Sequence, residues 1–301
     1  MAIEVGNQIQ LGYIAEVTFG TTPATPTGKL LRFTSATLAA ERDYLENPEL
    51  RTDRQRAAGR GGVMTGRGEV SGVLSFATYD DLIEACLGGT WSTNVLKVGT
   101  ARKSFTFQRA HLVNGLYYPF TGTVVNSMSI SGRANENVEI TFGLVAAKVG
   151  NEATATIWTS TTAANTNDAA TTWEAVVKKG GTTLGNVVGF NLTAENAYNE
   201  ASVCGSKDLY DLQPGTIRVT GSLELYFESN ALYTDFRAEN TVALQFIIGP
   251  GATKTYTIDL TAAKITNVGA PSTGDGFVTV TVEFESFTHA DTALKITRTA
   301  S

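Results

Sequence analysis

Two stretches of this chain carry the same alternating pattern, and each leads into a short helical segment. Gly68-Glu-Val-Ser-Gly-Val-Leu-Ser-Phe76 precedes residues 79–87, and Thr216-Ile-Arg-Val-Thr-Gly-Ser-Leu-Glu-Leu225 precedes a segment near 230. Alternation puts Val70, Gly72, Leu74 and Phe76 on one face of the first stretch, and Val219, Gly221, Leu223 and Leu225 on one face of the second. That is the pattern of a half-buried strand. Upstream of each lies another strand, 30–38 or 187–193, followed by a long polar loop; downstream lies a hydrophobic segment, 103–107 or 255–260. Both series close with paired strands, 124–144 and 264–287, and within them 138–142 and 277–287 alternate. The chain reads as a tandem duplication with a period of roughly 150 residues, too long for a solenoid, so each copy is expected to be a small β domain.

Two helices are expected. Tyr79, Leu82, Ile83, Cys86 and Leu87 follow the i, i+3, i+4, i+7, i+8 spacing of a helix buried along one face. Thr78 with Asp81 predicts a capping box at its start, and Gly88-Gly89 a stop. The second helix is predicted from Ser229 to about Arg237, with Leu232, Tyr233 and Phe236 on one side.

The 301 residues are 42% hydrophobic and only 17% charged, enough apolar material for a core without disulfides and against disorder or a coiled coil. The formal charge is −6, from 23 basic and 29 acidic residues, so the chain lacks the basic excess of a protein that grips nucleic acid. Residues 1–150 hold 14 basic and 13 acidic residues (+1), and 151–301 hold 9 and 16 (−7). Cys86 and Cys204 match no zinc or redox spacing. The opening residues lack a signal-peptide pattern, and no stretch approaches the roughly 18 apolar residues of a membrane span. The expectation is a soluble, reduced protein made in the cytoplasm.

Two segments stand outside the repeat. Asn151–Thr172 holds eight Thr in 22 residues with no sustained period, the composition of a solvated linker or of an arm that orders on assembly. Trp158 and Trp173 flank it, so part of it is expected to pack. The expected organisation is a first module over 1–150, a linker or arm over 151–183 and a second module over 184–301. Loop 41–68 brings six arginines (42, 51, 54, 56, 60, 67) together with five acids (41, 43, 46, 49, 53). Its counterpart, 194–215, carries Glu195, Glu200, Asp208 and Asp211 against a single Lys207. Structureless loops longer than about 12–15 residues usually have a function, and arginine is favoured at interfaces for its planar fork. Arg51, Asp53, Arg54, Arg56 and Arg60 on one side, and Glu195, Glu200, Asp208 and Asp211 on the other, are therefore candidate contacts between subunits or rings; a merely solvated loop is the alternative.

Catalytic chemistry is sparse. His111 and His289 have no Cys, His or carboxylate neighbours at ligand spacing. No nucleophile elbow, phosphate loop or zinc helix is present, and Arg60-Gly-Gly-Val-Met-Thr-Gly-Arg-Gly68 lacks the Lys-Ser/Thr ending of a phosphate cradle. Asp80-Asp81 fall in the first turn of the first helix, where carboxylates favour the dipole, and are read that way rather than as a metal pair. No pair of facing carboxylates can be nominated for glycoside hydrolysis. The expectation is no enzyme, no metal and no cofactor.

In their order, several motifs resemble the tail tube (major tail) proteins of long-tailed bacteriophages. They are Gly12-Tyr-Ile-Ala-Glu-Val-Thr-Phe-Gly-Thr-Thr-Pro23, Leu31-Arg-Phe-Thr-Ser-Ala-Thr-Leu38, Glu49-Leu-Arg-Thr-Asp-Arg54, 70–76 and Leu87-Gly-Gly-Thr-Trp91. The second copy adds 184–196 and 215–227, so the resemblance spans nearly the whole chain. It implies a mainly β fold of two tandem sandwich or half-barrel modules, each with a flanking helix, whose sheets join between neighbours into a ring with a β-barrel lumen. It also implies stacked rings, a conduit for double-stranded DNA without specific binding, tape-measure, tail-tip and tail-terminator partners, and a place in the virion tail after assembly in the host cytoplasm. Single-copy members form hexameric rings, so two copies per chain imply a trimer with pseudo-six-fold symmetry, a hexamer being the alternative. A different class remains open, a two-domain β-sandwich that binds carbohydrate, with Trp158, Trp173 and Tyr117-Tyr118 as recruitable aromatics; a polysaccharide hydrolase stands third.

Overall fold

A computed structural model describes residues 3–250, 253–271, 275–289 and 292–299. The first half contains β1 (Ile9–Ala15), β2 (Thr27–Leu30), β3 (Ser35–Ala36), β4 (Ala39–Leu45), β5 (Arg60–Val73), α1 (Asp80–Leu87), β6 (Val95–Lys97), β7 (Phe105–His111), β8 (Leu116–Arg133) and β9 (Glu139–Val149). β10 (Ser160–Thr162) follows alone. The second half contains β11 (Val176–Lys179), β12 (Thr182–Thr183), β13 (Val187–Glu195), β14 (Asn199–Ala201), β15 (Asp211–Gln213), β16 (Arg218–Tyr226), α2 (Ala231–Arg237), β17 (Thr241–Ile248), β18 (Thr255–Val268), β19 (Thr279–Ser286) and β20 (Lys295–Thr299). Apart from the small β14–β15 hairpin, the strands join in one hydrogen-bonded network of 18. The protein is mainly β, with a short helix flanking each module, as the alternation predicts.

Both halves are wired alike. In the first, β5 pairs with β9, β9 with β8, β8 with β7, β7 with β1 and β1 with β2. In the second, β16 pairs with β19, β19 with β18, β18 with β17, β17 with β11 and β11 with β12. The remaining edge of β5 takes β3 and β4, and that of β16 takes β13. Each helix follows the strand that carries the shared motif. Val70 and Val219 fall at the same place, opposite Ala36 and Ala194 respectively.

α1 buries the expected stripe: Tyr79, Leu82, Ile83, Cys86 and Leu87 are each at most 1% exposed. Gly88 closes the helix at φ 61°, a left-handed turn that a glycine adopts without a Cβ penalty. The capping box does not form. Thr78 Oγ1 is engaged with Ser75 Oγ at 2.6 Å, and Asp81 points away to Lys29 at 2.5 Å and to the Tyr13 hydroxyl at 3.1 Å. α2 spans Ala231–Arg237 and has no buried residue.

Two further expectations change. The strand over 30–38 is broken, β2 pairing with β1 and β3 with β5, so the chain changes neighbours between them. Loop 41–68 is largely a hairpin: β4 runs along β5 from Ala39↔Arg67 to Leu45↔Arg60, leaving 46–59 as the connection. Six of the seven residues of β4 are exposed, so this strand has no buried face and hence no alternation to read. Residues 151–171 lie packed along the first module. Trp158 is 9% exposed, and a Cβ on Gly28 would sit 2.6 Å from its ring, which is why a glycine stands there. β10 adds in parallel to β2, and Ala170 N donates to Leu74 O at 2.8 Å. Trp173, by contrast, is 80% exposed.

Candidate assembly interface

The two modules meet through a strand. β13 of the second module lies antiparallel to β8 of the first, from Gly189↔Arg133 to Glu195↔Ser127, so the sheet continues across the boundary. α1 covers this seam. It ends with carbonyls that no longer have a helical partner. Leu87 O and Gly88 O accept from Gly99 N and Ala101 N at 2.9 Å, whereas Cys86 O accepts from Asn196 Nδ2 at 2.7 Å. The same amide donates to Val125 O at 3.0 Å, where β8 carries a register shift between Val125 and Ser127. Asn196 N donates to Asn126 O at 2.8 Å. One asparagine from the second module thus ties the end of α1 to an irregularity of β8 in the first. Burial pushes the Cys86 thiol up to about 12, so it packs as a small apolar group.

Beyond Asn196, the second-module hairpin folds back over the first module. Leu209 and Leu212 are buried with Val124, Val145 and Ala147, flanked by Phe19, Val63 and Tyr198. Met64 N donates to Lys207 O at 2.7 Å, and Leu209 N to Ala147 O at 3.1 Å. Two ion pairs close the edges, Arg67–Glu200 and Arg102–Asp211. The Arg102 guanidinium also lies 4.2 Å from the centre of the Phe19 ring. Burial pulls the Asp211 carboxyl up, but hydrogen bonds from Gln213 and Arg102 outweigh it and hold the group below its ordinary value.

A third contact uses the two aspartates of α1. Asp80 accepts from the Tyr256 hydroxyl at 2.5 Å and pairs with Arg298, both from the second module. Arg298 in turn lies over Trp91, 4.1 Å from its ring centre. Asp81 binds Tyr13 and Lys29 of the first module. Burial, then the neighbouring aspartate, raises both tyrosine hydroxyls well above their usual range. Asp80 is thus a latch between the two halves while Asp81 binds within the first, and no cluster of three or more potential metal ligands occurs among the described residues.

The chain matches the family described as phage tail tube protein over residues 6–286. It belongs to that family. No curated protein matches it. Tail tube proteins are structural components of the virion tail. Of the two histidines, His111 lies edge-on to Tyr118 and His289 in a bridge with Thr292.

In this tail tube protein the residues nominated from sequence divide into two sets. Glu200 and Asp211 are brought against arginines of the first module, but those are Arg67 and Arg102 rather than the hairpin tip. At the tip, Arg51 pairs with Asp53 at 2.7 Å and Arg56 with Glu46 at 2.9 Å, all exposed. Arg54 is exposed in a left-handed conformation at φ 62°, Arg60 is exposed at the start of β5, Glu195 is exposed at the end of β13, and Asp208 is half-buried. Asn196, Arg102 and Arg298 carry the joint without having been singled out. Each acts on a partner distant in sequence, so no local spacing marks it.

Proposed function

We propose that this tail tube protein is the repeating subunit of a phage tail tube, closing into rings that stack around a conduit for the DNA. The observation that supports this best is the strand joint between two similarly wired halves: a unit that extends its sheet edge to edge within one chain is suited to do so between chains. Closed rings also remove exposed strand edges, which otherwise invite aggregation. Three chains of two modules give six-fold pseudo-symmetry, with a hexamer of chains as the alternative. The net charge of −6 suits a conduit that must not hold its cargo through phosphate contacts. Tape-measure, tail-tip and terminator proteins would bound the tube.

The exposed tip with Arg51, Asp53, Arg54, Arg56 and Arg60 is assigned to stacking between rings, where Glu195 and Asp208 offer acidic partners. Negative-stain electron microscopy of the purified protein at rising concentration tests the reading, with rings or tubes bearing a central hole expected. Replacing Arg51, Arg54 and Arg56 with Glu should leave rings that do not stack. Wild-type tube lengths in that triple variant would refute the stacking role.

For the carbohydrate-binding alternative, Trp158 is buried and has no face to offer a sugar, whereas Trp173 is 80% exposed and Tyr117 and Tyr118 are half-buried.

A further inference from the structure

Asn114-Gly115 is the single Asn-Gly pair in the chain. It forms the second half of the four-residue turn 112–115 that joins β7 to β8. Gly115 takes φ 63°, a left-handed conformation that glycine adopts at no steric cost. A Cβ there would meet nothing within 4 Å, so the space beside this backbone is open. Gly115 N donates to no acceptor among the described residues.

The same turn holds down the start of the chain. Residues 3–8 enter no strand and carry one 3-10 turn, Gly6–Gln8. Ile3 is 91% exposed and Val5 51%. Gln8 O accepts from Leu112 N at 3.2 Å. Ahead of Gln8, the polar contacts that reach beyond Ile9 among the described residues all come from Glu4. Its carboxylate accepts from Val113 N at 3.4 Å, from Asn114 N at 3.2 Å and from Asn114 Nδ2 at 2.8 Å. The shortest of these bonds is given by the one group that Asn-Gly chemistry removes.

We propose that Asn114-Gly115 is a self-modifying site, and that its conversion to aspartate or isoaspartate releases the N-terminal segment. Glycine puts no side chain beside its amide nitrogen, so Gly115 N can reach the side-chain amide carbon of the residue before it. Gly115 N attacks Asn114 Cγ and its proton passes to solvent. The Cγ–Nδ2 bond breaks, ammonia leaves, and a five-membered succinimide remains. Water then opens that ring at one carbonyl or the other, giving aspartate or isoaspartate. One water is consumed, one ammonia is released, and nothing is oxidised or reduced. The turn has then lost its 2.8 Å donor to Glu4 and gained a carboxylate in its place. Two like charges within hydrogen-bond range repel. The isoaspartyl product also adds a methylene to the main chain of the turn, which moves the Val113 and Asn114 amides off Glu4. The start of the chain is thus tied down in new protein and freed in aged protein.

Ageing the purified protein in warm, mildly alkaline buffer tests this. Tryptic digests taken at intervals contain both Asn114 and Asn126 in the peptide Ala110–Arg133, and fragmentation by mass spectrometry tells them apart. Conversion is expected at Asn114 ahead of Asn126, with the isoaspartyl fraction labelled by an isoaspartyl methyltransferase. Gly115→Ala crowds the attacking nitrogen and should lose the conversion. Asn114→Gln, which leaves the left-handed glycine in place, should lose it too. Hydrogen exchange reads the release: amides of residues 3–8 and of Val113 and Asn114 should exchange faster in aged protein and in Asn114→Asp than in fresh parent. Glu4→Gln/Asn114→Asp restores a donor between the two side chains and should return exchange to the parent rate. Conversion at Asn114 no faster than at Asn126 would overturn the site. Exchange unchanged in Asn114→Asp, or not restored by Glu4→Gln, would overturn the release.

Discussion

Asn196 offers the sharpest test of how the two modules are held together. It is 6% exposed, and its amide group donates to two carbonyls, Cys86 O in the last turn of α1 and Val125 O at the irregularity of β8. Asn196→Ala removes both donors while leaving the backbone bond to Asn126 in place. An unsatisfied buried polar group costs about 1–3 kcal/mol, so leaving these two carbonyls without the amide should cost about 2–4 kcal/mol together. Asn196→Asp keeps the shape but turns a carboxylate toward the same two carbonyls, and should cost more than the alanine. Urea unfolding of the unassembled protein, followed by tryptophan fluorescence, reads the effect as a lower midpoint at unchanged slope. A loss below about 0.5 kcal/mol for Asn196→Ala would be that of an ordinary surface substitution, and would refute the view that this amide holds the seam.

Other consequences follow from the same contacts. Asp80→Asn loses the charge that pairs with largely buried Arg298, whose Nε already lacks a partner; it should destabilise the chain by about 2–3 kcal/mol, and a double-mutant cycle with Arg298→Met should recover part of that loss. Asp211 and Glu285 are both held below their ordinary values, Asp211 by Gln213 and Arg102 against the pull of burial, Glu285 chiefly by Arg218. A depressed carboxyl stabilises the fold fully above its unfolded value and loses that contribution as pH falls through its folded value. Thermal melts of Asp211→Asn and Glu285→Gln should therefore vary less with pH below the ordinary carboxylate range than those of the parent; identical slopes would count against both pairs. Ellman's reagent should find one reactive thiol per native chain, Cys204, and two after unfolding, because Cys86 is buried with its thiol pushed up to about 12; rapid native reaction of both would contradict the buried seam.

How much of this was legible beforehand depends on whether the signal is local. The helix at 80–87 could be read from five apolar residues at helical spacing, and all five are buried. β16 and β19 were legible because each buries one face and exposes the other, so period-two alternation survives in the residues themselves. β4 was not, since a strand exposed on both faces carries charges on both. Thr78 and Asp81 had the spacing of a capping box, but Ser75, Lys29 and Tyr13 supplied competing partners that spacing does not reveal. The acidic second loop reads as a surface for contacts between chains; within the chain, Glu200 and Asp211 instead pair with arginines of the first half. Their partners, Arg67 and Arg102, depended on where the hairpin lands.

The residues by themselves determined that the chain is β-rich and that its two halves differ in charge, because alternation and net charge are properties of the string. Only the tertiary structure decided that the two halves share one sheet through β13 and β8, that Asn196 and Asp80 tie them together, and that the apolar stripe of α1 is buried while α2 has no buried residue. The physical reason is that an edge, a lone carbonyl or a bare helix face is defined by which groups remain unsatisfied once the chain has folded. That remainder follows from contacts between residues more than a hundred positions apart, as between Cys86 and Asn196.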